Sequence, residues 1–189
     1  MTESLFSAGG LLVPLLVGMA LMLYAAAQAV RQRKDPQRLI LWGALHDAGI
    51  VCLGLGAATP AGATGLWLFL LFQVAARGLA WTALARLSSA CRTGAVGSHG
   101  PVHLTDLGGS GQRHPRTAAL FALGLLASVG GSPFLLPEAR LFITAAVLEA
   151  IPGGLVALLV MALATTIFIW LYVDAVRCVV LEDAREESY

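Results

Sequence analysis

Charge is scarce in this 189-residue chain. Only 12% of its residues are Asp, Glu, Lys or Arg, whereas soluble domains carry about 25%. Hydrophobic residues make up 58% of the chain, and its mean hydropathy is +0.79. This balance excludes an ordinary water-soluble globular domain and makes the lipid bilayer the main solvent. It also leaves little chain for a separate soluble catalytic domain, so we expect no enzyme active site in this chain.

Dense basic blocks and closely spaced cysteines are also absent from the sequence. The 12 basic residues nearly balance the 11 acidic ones and do not form the cluster that a nucleic-acid backbone attracts. Cys52, Cys91 and Cys178 lie far apart, which argues against a CxxC redox or metal site and against a disulfide framework. From the charge distribution, we expect no nucleic-acid partner.

Two loop motifs have the composition of a ligand site but the wrong context. His99 and His103 are four residues apart, but Pro101 lies between them and prevents their presentation on one helical face. The GGSG at 108–111 is not followed by the Lys-Ser/Thr of a phosphate loop. We expect no catalytic residue, no bound metal and no cofactor in this chain.

Long apolar runs occupy most of the sequence. A bilayer span needs roughly 20 apolar residues, and the runs lie at 11–30, 39–57, 65–87, 116–136, 138–151 and 155–180. The first lacks the basic opening and small-residue cleavage site of a signal peptide, so we expect it to be retained as a span. The fifth is short and charged. The sequence predicts an all-α integral membrane protein, with about six (five to six) transmembrane helices in a single membrane domain, 1–189.

The segments between the runs predict an orientation. Residues 31–38 contain the strongest basic cluster, and basic loops face the cytoplasm. Glycine-rich residues 88–115 are predicted to form the one sizeable extramembrane loop, on the same side, whereas residues 182–189 form an acidic tail. Six spans would place that tail outside. We expect a multi-pass protein of a prokaryotic inner (plasma) membrane, with its N-terminus outside.

The notable ionisable residues well inside the apolar runs are His46, Asp47, Arg77 and Glu149. Such residues are costly in hydrocarbon and often mark an ion or proton path. At ~1.5 Å rise per residue, Asp47 and Arg77 lie about 13 and 15 Å from the cytoplasmic end, close enough in depth to pair, and Glu149 would extend the file. A structural ion pair that sets helix register is the alternative. Arg77 organises charge rather than passing protons, because guanidinium stays protonated.

Three segments resemble, in order, the second half of the antiporter-like membrane subunits of respiratory complex I, membrane-bound hydrogenases and multisubunit sodium/proton antiporters. Residues 35–56 are similar to the family's D-x-K-R-L-L-A-Y-S-S stretch, and residues 72–87 to its H-A-x-x-K-A-x-L-F helix. Residues 103–150 resemble its D-L-x-G-L segment, which ends in G-x-P-P-x-x-G-F-x-x-K. In the first segment, the matching positions are Arg38, Trp42, Gly49 and Gly54.

The resemblance implies half of an inverted-repeat helical module with charged sites near the midplane. Gln73 and Arg77 stand where the family has its histidine and lysine, and Arg140 stands where it has a titratable lysine or glutamate. Gln73 and Arg140 thereby join the candidate path residues.

We therefore expect a small antiporter-like subunit of a respiratory or hydrogenase-type complex, or of a cation/proton antiporter assembly. It would support proton or cation translocation through a midplane polar axis, with other membrane subunits and the lipid bilayer as partners. It would do no redox chemistry itself, even within an oxidoreductase complex. The alternatives are a structural membrane adaptor, formed by a degenerate half-repeat without transport, and an unrelated small transporter acting alone.

Overall fold

The computed structural model describes residues 2–57, 59–94, 103–130, 136–150 and 154–181, and every regular element within these ranges is helical. The predicted all-α class is therefore confirmed for the described part of the chain. The elements are α1 Thr2–Arg31, α2 Pro36–Ala57, α3 Pro60–Gly94, a 3₁₀ turn Leu104–Leu107, α4 Ser110–Arg113, α5 Pro115–Ser128, α6 Leu136–Ala150 and α7 Gly154–Val180.

Within the described residues, four helices are long and apolar enough to cross a membrane: α1 over Leu12–Arg31, α2, α3 over Pro60–Cys91, and α7. The prediction of five to six such helices is thus confirmed only in part. The difference lies in the runs at 116–136 and 138–151. There α5 ends at Ser128 after 14 residues, and α6 has only 15, so neither reaches the ~20 residues of a full span.

The two short helices lie end to end along α3. A Cβ built on Gly124 of α5 would lie 2.6 Å from the backbone nitrogen of Ala80, and one on Gly65 of α3 would lie 2.7 Å from Cβ of Phe142 in α6. Residue 124 of α5 therefore contacts residue 80 of α3, and residue 142 of α6 contacts residue 65, so later residues of α5 and α6 lie against earlier residues of α3. As two separate spans, the predicted runs at 116–136 and 138–151 would point in opposite directions, but α6 instead continues in the direction of α5, antiparallel to α3.

One end of the bundle gathers several chain segments around the 3₁₀ turn. The Leu104 N–H donates to the carbonyl of Lys34 at 2.8 Å. The thiols of Cys91 and Cys178 contact the carbonyls of Asp106 and Leu104 at 3.6 and 3.4 Å. The turn between α1 and α2, the C-terminal part of α3 and the C-terminal end of α7 therefore lie together.

The predicted loop at 88–115 is partly helical, because α3 continues to Gly94 and α4 follows the 3₁₀ turn. His103 begins the described part of this region. His99 and the predicted acidic tail, 182–189, lie outside the described residues.

Basic residues are sorted strongly between the two ends of the bundle. The end near the 3₁₀ turn carries Arg31, Arg33, Lys34, Arg38, Arg86, Arg113, Arg116 and Arg177. At the opposite end of the bundle, α2 and α6 end and α1, α3 and α7 begin. The described residues at that end include no Lys or Arg. Arg77 and Arg140 are the basic side chains that lie between the two ends in the part of the chain that the structure describes.

Candidate functional site

Asp47 is the centre of a polar cluster at mid-depth in the bundle. It lies about 15 Å along α2 from either helix end. One carboxylate oxygen, Oδ2, accepts from Nε and Nη2 of Arg77 in α3 at 3.0 and 2.7 Å. Only 6% of Asp47 and 8% of Arg77 are exposed. The depth estimate from the sequence therefore pairs the correct two residues, and their opposite charges make the burial of each tolerable.

Gln73, one helical turn before Arg77, joins this pair to the end of α5. Its amide nitrogen donates to Oδ2 of Asp47 and, at 3.0 Å, to the carbonyl of Ser128. Since both partners are acceptors, this end of the amide must be the NH₂ group. The other atom, Oε1, is buried and has no hydrogen-bond partner among the described residues.

Tyr172 of α7 closes the cluster on the far side of Arg77. Nη1 of Arg77 donates to the tyrosine hydroxyl and, at 3.3 Å, to the carbonyl of Ile40. The guanidinium carbon also lies 5.6 Å from the centroid of the tyrosine ring. The sequence reasoning missed Tyr172, although a signal exists: a tyrosine in the middle of an apolar run brings a hydroxyl that needs a partner when buried.

Gly43 provides the space for this contact. It lies one turn before Asp47 on α2, and a Cβ added there would overlap the hydroxyl of Tyr172 and the guanidinium of Arg77. Small residues let helices approach closely in a membrane. Here the missing side chain lets groups from α3 and α7 meet directly against α2.

His46 extends the cluster toward the surface of α7. Its Nδ1 lies 3.3 Å from Oδ1 of Asp47, and its Nε2 lies 3.3 Å from the hydroxyl of Thr165. The ring is 1% exposed and packs on Phe168, with centroids 4.9 Å apart. Thr165, which is partly exposed, is a second residue that the sequence reasoning missed. The chain of polar atoms therefore runs from the bundle surface to the Asp47 carboxylate.

Arg140 lies at the break between α5 and α6. Nη2 donates to the carbonyl of Ser128 at 3.0 Å and Nη1 to that of Val129 at 2.9 Å. The guanidinium also lies over Phe69, 5.7 Å from the ring centroid. The last carbonyls of a helix lack partners within the helix and carry partial negative charge. The end of α5 thus provides acceptors for a cation inside the bundle, and the shared Ser128 carbonyl connects Arg140 to Gln73.

The structure brings five of the six candidate path residues together: His46, Asp47, Gln73, Arg77 and Arg140. Glu149 is exposed and lies one residue before the end of α6, apart from the cluster. The reason is the direction of α6. Because it runs onward from α5, its last residues lie at the end of the bundle and not at mid-depth.

The formal charges in the cluster do not cancel. Asp47 contributes one negative charge, whereas Arg77 and Arg140 contribute two positive ones. His46 is the member whose side chain titrates nearest to neutral pH in its ordinary state. Among the described residues, no group of three or more His, Cys, Asp or Glu side chains is arranged to hold a metal ion.

The fold and this cluster together describe an all-helical chain, consistent with an integral membrane protein, with ionisable side chains buried at mid-depth. No model of a known protein family matches the chain, and no curated protein sequence matches it. The function proposed for the chain therefore depends on the chemistry of the polar cluster.

Proposed function

We propose that the chain is a small antiporter-like subunit that supports proton or cation translocation within a larger membrane complex. The observation that carries this proposal is the continuous polar cluster at mid-depth, in which hydrogen bonds connect side chains or carbonyls of α2, α3, α5, α6 and α7. Ionisable groups are expensive in hydrocarbon and are characteristic of ion and proton pathways.

In this proposal, His46 and Asp47 are the proton-carrying pair. The histidine has a carboxylate at one ring nitrogen and a hydroxyl at the other, so a proton can enter through Thr165 and leave toward Asp47. Arg77 is a permanent countercharge that stabilises the carboxylate whenever it is ionised, since guanidinium does not release its proton under physiological conditions. Arg140, held by helix-end carbonyls, adds a second fixed positive charge beside the path.

The proposed orientation follows from the sorting of basic residues. If α5 and α6 form one interrupted crossing, the chain crosses five times, through α1, α2, α3, α5 with α6, and α7. The positive-inside rule then puts the 3₁₀-turn end in the cytoplasm, with the N-terminus outside and the end of α7 inside. A reporter fused after residue 189 that folds only in the cytoplasm tests this, because six crossings would leave it inactive.

The test of function is proton flux through the native complex, purified in mild detergent and reconstituted into liposomes with a pH-sensitive dye inside. We expect His46→Gln, which retains hydrogen bonding but does not titrate, to reduce flux about tenfold, the effect of ~1.4 kcal/mol on a barrier. Glu149→Gln is the matched control, because it also removes an ionisable group but outside the cluster, and it should leave flux unchanged.

Two results would contradict the proposed path. One is equal flux in wild type and His46→Gln. The other is unchanged flux in both Arg77→Lys and Arg77→Ala, since neither variant leaves the countercharge as it is. Arg77→Lys should instead increase flux, because ammonium releases a proton more readily than guanidinium.

A structural adaptor is the second candidate, and the bonding of Arg77 favours it. All three guanidinium nitrogens have partners, on Asp47, Tyr172 and the Ile40 carbonyl. A closed network of this kind ties α2, α3 and α7 in one register. If this is its only role, removing both charges in Asp47→Leu/Arg77→Met should preserve assembly, and flux should not depend on His46.

A further inference from the structure

A lateral groove between α2 and α3 reaches the polar cluster from the side of the bundle. Its volume is about 530 Å³, within the ~300–1,000 Å³ of small-molecule sites. Ala44 and Val74 lie at the groove and are exposed, Val74 by 71%. The groove therefore opens toward the lipid at the depth of Asp47, and its wall is mainly apolar.

The polar groups in the groove wall have unused acceptor capacity. Gln73 and Asp47 both line the groove. Gln73 Oε1 is buried without a donor among the described residues, and Oδ1 of Asp47 has a 3.3 Å contact with His46 Nδ1. Since a buried acceptor without a donor is costly, this wall favours an occupant that brings an O–H or N–H group.

The charges nearby restrict what kind of donor fits. Asp47 is outnumbered by Arg77 and Arg140, and the carboxylate is already bonded to Arg77 at 2.7 Å. An ammonium group would add another positive charge to a region that already has an excess, in a medium that screens it poorly. An uncharged hydroxyl supplies the donor without this repulsion.

We propose that the groove binds an uncharged, lipid-soluble molecule with a hydroxyl group, such as a phenol with an alkyl chain. It enters sideways from the bilayer and lays its apolar body against residues such as Val51 and Leu70. A small rotation of the Gln73 side chain, which lines the groove, then turns its buried Oε1 toward the ligand to accept the O–H. This proposal concerns binding alone and holds whether or not the chain conducts protons.

A photoreactive diazirine analogue of 4-octylphenol tests the proposal on the full chain in nanodiscs. Mass spectrometry should find the label on the groove-lining faces of α2 and α3. Excess 4-octylphenol should suppress the labelling, whereas 4-octylanisole, its methyl ether, should compete about tenfold less well, because it leaves the buried acceptor without a donor.

Paired variants separate the groove from the general lipid surface. Ala48→Phe fills the groove without altering its polar groups and should abolish labelling there, whereas Ala75→Phe, on an exposed position of α3 outside the groove, should not. Gln73→Leu should remove the preference for the phenol over the ether. If this variant does not fold, the Ala48→Phe and Ala75→Phe comparison still decides.

Three outcomes would overturn the proposal. The first is label spread evenly over the lipid-facing positions of all helices. The second is equal competition by the phenol and the ether. The third is exclusion of the probe from the groove in the natively purified complex, because a partner helix would then be the occupant.

Discussion

Two arginines are held at mid-depth in this protein by different means. Arg77 lies inside the continuous helix α3 and pairs with a carboxylate, a tyrosine hydroxyl and a carbonyl. Arg140 lies at the start of α6 and bonds only two carbonyls at the end of α5 among the described residues, with its Nε unpartnered. One cation is neutralised by an opposite charge, whereas the other is solvated by a helix end.

The two arginines therefore differ in what their removal leaves behind. Removing Arg77 leaves the Asp47 carboxylate buried without its main countercharge. Removing Arg140 leaves only backbone carbonyls, which are neutral dipoles. The two sites should therefore differ both in their contribution to stability and in the kind of change that rescues them.

The largest effect is expected from Arg77→Met. Breaking a buried ion pair from one side costs about 3–5 kcal/mol, which should lower the unfolding midpoint in detergent strongly, as followed by tryptophan fluorescence. Adding Asp47→Leu should recover much of the loss, because the double variant contains no uncompensated charge. If the single and double variants were equally unstable, the ion-pair explanation would be wrong.

Arg140→Met should have a smaller effect, about 1–3 kcal/mol, because it removes a donor from the Ser128 and Val129 carbonyls but leaves no bare charge. The Ser128 carbonyl retains the amide of Gln73 as a donor. The same unfolding measurement applies. Asp47→Leu should not rescue this variant, since the two side chains are not bonded to each other. A loss greater than that of Arg77→Met would reverse the comparison between the two arginines.

Gly43→Ala tests the packing around Arg77. The new methyl group would overlap both the guanidinium and the Tyr172 hydroxyl, so we expect a loss of about 1–3 kcal/mol from overpacking. Gly78→Ala on α3 is the matched control, because a Cβ there meets nothing within 4 Å. It should be neutral or stabilise by up to ~1 kcal/mol through helix propensity. Equal effects of the two variants would argue against a packing role for Gly43.

The depths of Asp47 and Arg77 could be predicted from the sequence, because each depends only on the position of the residue along its own helix. Counting along two antiparallel helices gives nearly equal depths for Asp47 and Arg77, because helix rise is constant, and the two side chains do pair. Thr165 and Tyr172 were not predicted. Their roles depend on which face of α7 meets α2, and a helix that is apolar all round carries little information about its orientation.

The path of the chain from α5 to α6 could be predicted only in part. The prolines and glycines around residues 130–137 indicate an interruption of the helix, but they do not determine the direction in which the chain continues. Contacts along α3 decide this. Their effect is large, since they put Arg140 in the cluster and Glu149 at the end of the bundle.

The amino-acid sequence alone was enough to predict the apolar, helical character of the chain and the depths of Asp47 and Arg77, because hydrophobicity and helix rise are local properties of the chain. Which other groups join this pair was visible only in the packed structure. That depends on close approach between distant segments, at Gly43, Gly65 and Gly124, and on the helix end that α5 presents to Arg140. A buried charge is tolerable only beside a partner, and such partners are brought together by packing between helices.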